Sequence, residues 1–275
     1  LPPSIAEINC RAYLAIFKAR YRTLFQYKGA AAAGILTQCF WGLIRTAIYT
    51  AFYQSGIQSG VFDPPLPFEM ILSYIWLGQT FVHLLPWMQD LEIRQLILEG
   101  HATYELSRPI NLYAVWFSRM VAMRLCPISI RGSVIFFLAV SFFNLQGPAS
   151  FLSFLAFALS ILQALLISSS LSLFLILALF WTVSAENAIR ALNPIMSLLS
   201  GIMVPIPFFP EAARFWAYCL PFCGIIDTPF RIYLGHIPIQ EVPCALLHQT
   251  LWIVLLVASG QKLLQRALFK VNRSG

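Results

Sequence analysis

Apolar runs and short polar breaks alternate along the whole chain. The runs cover residues 30–52, 68–87, 132–143, 151–183, 194–204 and 245–264, and the longer ones reach the ~20 residues with which an α-helix crosses a bilayer. The pattern predicts an all-α integral membrane protein with six transmembrane helices. The shortest run, 194–204, stops at VPIPFFP, where Pro205, Pro207 and Pro210 cannot continue a helix. Non-helical backbone at membrane depth is stable only where protein or a water-filled cavity covers it. Residues 205–224 are therefore expected to form short re-entrant helices in the outer leaflet, followed by an outer segment over 225–243.

The polar breaks differ in character. Residues 1–29 place Ile5, Ile8, Ala12, Ala15 and Ala19 three to four apart, with Arg11, Lys18, Arg20, Arg22 and Lys28 on other faces. This is the pattern of an interfacial elbow helix in the headgroup region; its basic residues run throughout, unlike those of a signal peptide. Residues 89–109 (QDLEIRQLILEGHATYELSRP) carry Asp90, Glu92, Arg94, Glu99, His101, Glu105 and Arg108 in a chain of which only 11% is charged. So dense an insert between apolar segments is expected to be where a soluble partner docks. Residues 110–130, with Arg119 and Arg124, are expected to lie in the inner leaflet and to bend near Pro127 into the third crossing. The hinge 184–193 holds Glu186 and Arg190 at i,i+4 spacing, and 262–275 is a basic tail. The chain thus divides into an elbow over 1–29 and a six-helix membrane domain over 30–275.

Composition excludes a soluble alternative. Hydrophobic residues make up 59% of the chain and the mean hydropathy is +0.75, more apolar surface than its sparse polar residues can cover in water. The net charge of +7 does not point to nucleic acid, because the basic residues are spread over segment ends. Of the eighteen Lys and Arg, only Arg45, Arg214 and Arg231 fall on the side of the membrane opposite the elbow, the charged insert, the hinge and the tail. The positive-inside rule then places both termini and the insert in the cytoplasm.

Candidate chemistry is sparse. GxxxxGK[ST], HExxH and GxSxG are all absent, so the chain is expected to be no enzyme and to leave ATP hydrolysis to a partner. Cys219, Cys223 and Cys244 fall on the outer side, where a disulfide among them is compatible with an oxidising exterior. His83 has no second ligand at metal spacing and is expected to pack. Arg45, inside the first run, requires either outer headgroups or the protein interior. Ser168, Ser169 and Ser170 are expected to bond their own backbone or to permit close helix packing.

The stretch ARYRTLFQYKGA, the motif EGHATYELSRPINLY with LSRP after Gly100, the hinge SAENAIRALN, and SLLSGIMVPIPFFPEAARFWAYCLPFCGIIDTPFRIYLG together resemble the permease subunits of ABC-2 type exporters, in the branch of uncharacterised ABC transport permeases. That resemblance implies a type V arrangement with an elbow, a coupling helix and outer re-entrant helices. The partners it implies are a second permease, identical or related, and two cytoplasmic ATPase subunits that hold ATP and Mg, in a bacterial inner membrane. Carried onto this chain, Glu92, Arg94, Glu99, Gly100, Glu105, Arg108 and Pro109 become the ATPase-coupling residues. Pro205, Pro207, Phe208, Phe209 and Pro210 become the outer gate. A substrate path lined by the first, second and fifth crossings would use Gln38, Trp41, Arg45, Trp76 and Gln79, with Phe40 and Phe81 beside them. Its apolar, aromatic character favours a hydrophobic or amphipathic substrate. Two alternatives remain open: a non-transporting membrane anchor or immunity protein, and a membrane-embedded enzyme.

Overall fold

The computed structural model describes residues 5–59, 64–101, 110–181 and 185–274, and every regular element among them is helical. The elbow forms α1 (Ile5–Phe25), and after a short turn α2 (Lys28–Ser59) runs through the first apolar segment, so residues 54–59, expected as loop, are still helix. Then follow α3 (Phe68–Phe81), α4 (Leu91–Leu98), α5 (Leu112–Pro127), α6 (Ser133–Phe142), α7 (Phe151–Leu177), α8 (Ala185–Leu199), α9 (Glu211–Cys219), α10 (Asp227–Tyr233) and α11 (Val242–Ser274). Among the described residues four helices are long and apolar enough to cross a membrane: Gly29–Gly56, Leu112–Phe142, Phe151–Phe180 and Val242–Phe269. The other two expected crossings are shorter. α3 ends in a tight turn at Val82–Leu84, and α8 has 15 residues.

Residues 110–130, expected to bend near Pro127 into the third crossing, join it without a break: α5 passes into α6 through a π turn at Ile128–Gly132. Pro127 lacks an N–H, and the wider turn after it absorbs the lost bond without ending the helix; the Ser129 hydroxyl donates to the Leu125 carbonyl at 2.8 Å. Gly132 permits this turn to lie against α3, where an added Cβ would stand 2.7 Å from the Thr80 carbonyl oxygen. Residues 185–193 of the hinge are the first part of α8, and the helix continues through Pro194. The segment after the re-entrant stretch is not peripheral: α10 packs on α7, and Phe230 and Ile232 within it are fully buried. The basic tail is the continuation of α11.

The packing places α7 at the centre, with α5, α10 and α11 against it, while α1 lies along α5 and α2 along α3. Aromatic contacts knit the helices together: Trp76 stacks on Phe143 with centroids 3.8 Å apart, and Phe157 meets Tyr233 edge-on. Polar side chains tie helices inside the apolar core. Gln249 of α11 donates to the carbonyls of Ser160 at 3.1 Å and Gly224 at 2.7 Å and accepts from the Ser160 hydroxyl at 2.9 Å. The strongest such tie is Arg124 of α5, which is fully buried. Its guanidinium donates to the Ser168 hydroxyl at 2.7 Å, to the Met120 carbonyl at 2.9 Å and to the Ser172 hydroxyl. Ser168 therefore solvates a neighbouring helix's charge, whereas Ser170 bonds back to Leu166 as expected.

A buried cation held by neutral dipoles is costly once those dipoles go, and an apolar replacement of similar volume removes the cost with the charge. Ser168→Ala combined with Ser172→Ala should therefore destabilise the detergent-solubilised protein by about 3 kcal/mol or more, while Arg124→Met should cost less. Thermal unfolding of the two variants beside wild type measures the order.

Candidate functional site

On the side that carries the charged insert, Asp90 organises three helices. Its side chain is fully shielded from solvent and caps α4, accepting from the backbone N–H of Glu92 at 3.0 Å and of Ile93 at 3.4 Å. Arg119 of α5 grips the same carboxylate with two parallel bonds of 2.9 Å, and Arg20 of α1 approaches it at 3.2 Å. Glu92 closes the set, accepting from Arg20 at 2.6 Å and from Arg119. Two carboxylates and two guanidiniums thus bind the elbow and α4 to the start of a membrane-crossing helix. Tyr13 adds a neutral link, its hydroxyl accepting from the Asn111 N–H at 3.1 Å.

This network decides what α4 shows to the outside. Ile93 and Ile97 are buried, while Leu91, Gln95, Leu98 and Glu99 are exposed on the opposite stripe. Glu92, expected as a partner contact, instead points to Arg20 and Arg119, although half its side chain remains accessible. Glu99 caps the C-terminal end of α4 and pairs with His101 at 3.3 Å; Gly100 beside it turns the chain with φ +74°. Arg94 is half-buried. Glu105, Arg108, Pro109 and the side chain of Glu186 lie outside the described residues.

At the opposite end, Asp227 does for the proline-rich break what Asp90 does for the elbow. It is fully buried and accepts from the Tyr74 hydroxyl at 3.1 Å, the Ile206 N–H at 3.2 Å and Arg231 at 3.4 Å. Its own N–H reaches the Ser200 carbonyl at 3.1 Å. Two residues past the end of α8 the chain turns at Gly201, whose φ is +85°, and a Cβ there would meet the Tyr74 hydroxyl at 2.6 Å; glycine alone fits. Pro205 starts a tight turn over Ile206–Phe208, and Pro210 immediately precedes α9. Pro205 and Pro207 are buried, Phe209 packs beside Ile206 and Ala217, and Phe208 meets Tyr49 of α2 edge-on at 6.3 Å. Cys219, Cys223 and Cys244 are separate thiols, Cys223 buried and donating to the Leu220 carbonyl.

Between these ends, Gln38, Trp41, Arg45 and Gln79 line one cavity beside α2. Trp76 does not: it is fully buried beneath Gly42, stacked on Phe143. Phe40 points away with 59% of its surface exposed, and Phe81 packs edge-on to Phe157. Arg45 donates to the Ile202 carbonyl at 2.6 Å, so the protein interior rather than a headgroup receives it. His83 belongs to the same cavity, its Nε2 3.1 Å from the Gln38 amide. The residues that sequence reasoning missed are Arg20, Arg119 and Asp227. Asp90 ahead of LEIRQLIL carries the signal of a helix N-cap, but nothing local names its two arginines.

The four-charge network gives two measurable consequences. Arg119→Ala leaves Asp90 buried with one partner fewer and should cost about 3 kcal/mol or more, seen as faster amide exchange across α1 and α4. Burial alone would raise the Glu92 carboxyl, yet bonds from Arg20 and Arg119 and their charges bring it below its ordinary value. A carboxylate lowered on folding stabilises above its unfolded pKa of ~4.3, and that contribution is lost as pH falls through the lower folded value. Glu92→Gln should therefore lower the unfolding midpoint at about pH 6, with the gap from wild type closing by about pH 3.

Comparison with curated proteins returns no match. A family model described as ABC-2 family transporter protein matches residues 68–275, from the start of α3 to the end of the chain. Among the matched elements are α4, the central α7 and the break around Asp227. With its apolar crossing helices, the chain is a multi-pass membrane protein and belongs to the ABC-2 transporter family.

Proposed function

We propose that this chain is the permease subunit of an ATP-driven exporter of type V arrangement. It would work with a second permease, identical or related, and with two cytoplasmic ATPase subunits that hold ATP and Mg. Family membership implies ABC ATPase partners in general. What supports α4 as their coupling helix is its geometry: an exposed stripe of Leu91, Gln95, Leu98 and Glu99, fastened through Asp90 to both the elbow and α5. A push on that stripe is carried by an ion-pair cluster into a 31-residue crossing helix. An ATPase pair that binds two permease states with different affinity shifts their balance by that difference and by nothing else.

In this reading α3 and α8 also cross, giving six passes with both termini in the cytoplasm. α3 and its terminal turn, Phe68–Leu84, run about 25 Å at ~1.5 Å per residue. α8 is shorter, and the buried turn and α9 beyond it complete the outer leaflet, with Phe215 and Trp216 of α9 exposed as interfacial anchors. The break at Pro205–Pro210 acts as the exit gate, and Asp227 sets its resting shape. ATP chemistry stays on the partner, and this chain performs none. The substrate leaves towards the exterior along the cavity beside α2, and the sparse basic charge on that side is consistent with a bacterial inner membrane protein.

Co-expression with the neighbouring genes and any ABC ATPase among them, followed by affinity purification, tests the assignment. The ATPase should co-purify with wild type and be lost, at least about tenfold, from Leu98→Arg combined with Glu99→Arg. Equal recovery with both would remove α4 as the coupling helix, and recovery with neither would sink the exporter reading itself.

A further inference from the structure

Two adjoining cavities run along α2. The one nearer its N-terminal end, about 550 Å³, is lined by Gln38, Gln79, His83, Trp87 and Arg131 among others. The one nearer its C-terminal end, about 570 Å³, is lined by Ile44, Ile48, Tyr49, Phe52, Val204 and Phe208. Trp41, Arg45 and Met203 border both, so the two form one trough, polar at one end and apolar at the other. From Gly34 to Phe52 it follows about 27 Å of helix at ~1.5 Å per residue.

Among the described residues, two guanidiniums line this trough and no carboxylate does. Arg45 spends one N–H on the Ile202 carbonyl. Arg131 lies against Gly34, its guanidinium 2.4–2.9 Å from where a Cβ would stand, and has no acidic partner among the described residues. A cation in or beside the membrane is held by the headgroups it snorkels to, by a protein partner or by a ligand. A second observation points the same way. Gln38 is 92% shielded, with 8% of its surface exposed; one end of its amide bonds His83 and its oxygen has no partner. Turning the amide over gives the His83 N–H a carbonyl and leaves the shielded end as an NH₂ with no acceptor among the described residues, since the two amide ends are interchangeable in shape.

We infer that this trough is the substrate site of the exporter proposed above, on which the inference rests, and that it takes an acidic amphipath with a carboxylate or phosphate head and a long apolar chain. The head is held by Arg131 and the Gln38 amide, with Arg45 at the junction. The chain lies between Ile48, Tyr49, Phe52 and Phe208. The polarity of the trough fits entry from the inner leaflet: with the N-terminal end of α2 at the cytoplasmic face, an acidic amphipath arrives head towards the cytoplasm and chain towards the membrane centre. A neutral oil gains the apolar half but leaves two cations unpaired. A small hydrophilic anion gains the cations but leaves the aromatic half unfilled.

Equilibrium binding to the purified chain in neutral phosphatidylcholine nanodiscs, without the ATPase, tests this. The probes are radiolabelled oleate and oleoyl lysophosphatidate, with oleyl alcohol as the neutral chain and acetate and inorganic phosphate as heads alone. Both acids should bind saturably, the alcohol about tenfold more weakly, and the heads alone not at all; the better acid names the head. Arg131→Gln should weaken the acids about tenfold, the scale of one lost charge-assisted bond, and leave the alcohol unchanged, and Arg131→Lys should restore part of the loss. Ile48→Trp, which fills the apolar half, should weaken acids and alcohol alike. Equal binding of alcohol and acids, an Arg131→Gln variant that binds acids like wild type, or no saturable binding because a second copy occupies the trough would overturn the inference. The exporter reading would survive any of these if the ATPase still co-purifies.

Discussion

A carboxylate withdrawn from water stays ionised only if cations and N–H donors replace its hydration, and Asp90 meets that condition with groups drawn from three helices. Two backbone N–H groups of α4, a forked grip from Arg119 and the approach of Arg20 account for its lone pairs. Each partner is fixed by a different element, so the elbow, α4 and α5 cannot shift independently without uncovering a buried charge. That constraint makes a short surface helix into a rigid extension of the membrane domain. An exposed α4 without it would be an eight-residue helix of marginal stability.

The same device recurs across the membrane. Asp227 sits at the focus of Tyr74, Arg231 and the Ile206 N–H, and the last is a backbone group that the non-helical stretch after α8 would otherwise leave unsatisfied. The two ends differ in one respect that matters for motion. Asp90 is held by two arginines in a network with Glu92, whereas Asp227 has one cation, a phenol and a backbone amide. Arg231 is itself shared with Tyr218 and His236. Opening the proline-rich end breaks fewer charge-assisted bonds than detaching the elbow, so that break is the softer of the two.

The apolar periodicity made the helices, their order and the polar islands between them legible, because burial in lipid leaves a one-dimensional trace in sequence. The charged insert and the proline break were legible for the same reason, but the stripe that α4 exposes was not. What was not legible came from three dimensions. Pro127 reads as a bend, but a π turn costs less here than ending a helix that packs on both sides. Trp76 and Gln79 sit three residues apart, yet one is buried on Phe143 and the other faces the cavity. Arg124 reads as a surface cation on an amphipathic helix, and only the serines of α7, some forty residues away, make its burial tolerable. Long-range partners of single charges leave no local signal, which is why Arg20, Arg119 and Asp227 were invisible as a set.

The trough beside α2 links the two carboxylate centres physically. Its polar end is bounded by Arg131, which closes the π turn between α5 and α6, and α5 is the helix that Arg119 ties to α4. Its apolar end is bounded by Val204 and Phe208, which belong to the break that Asp227 supports. Arg45 crosses the middle and reaches the Ile202 carbonyl on the far wall. A displacement of α5 therefore moves the polar end of the trough, while the opposite end is set by a different carboxylate on different helices. A packed domain with two such independently anchored ends has the parts needed to widen one end and narrow the other, because close-packed contacts between them switch rather than stretch.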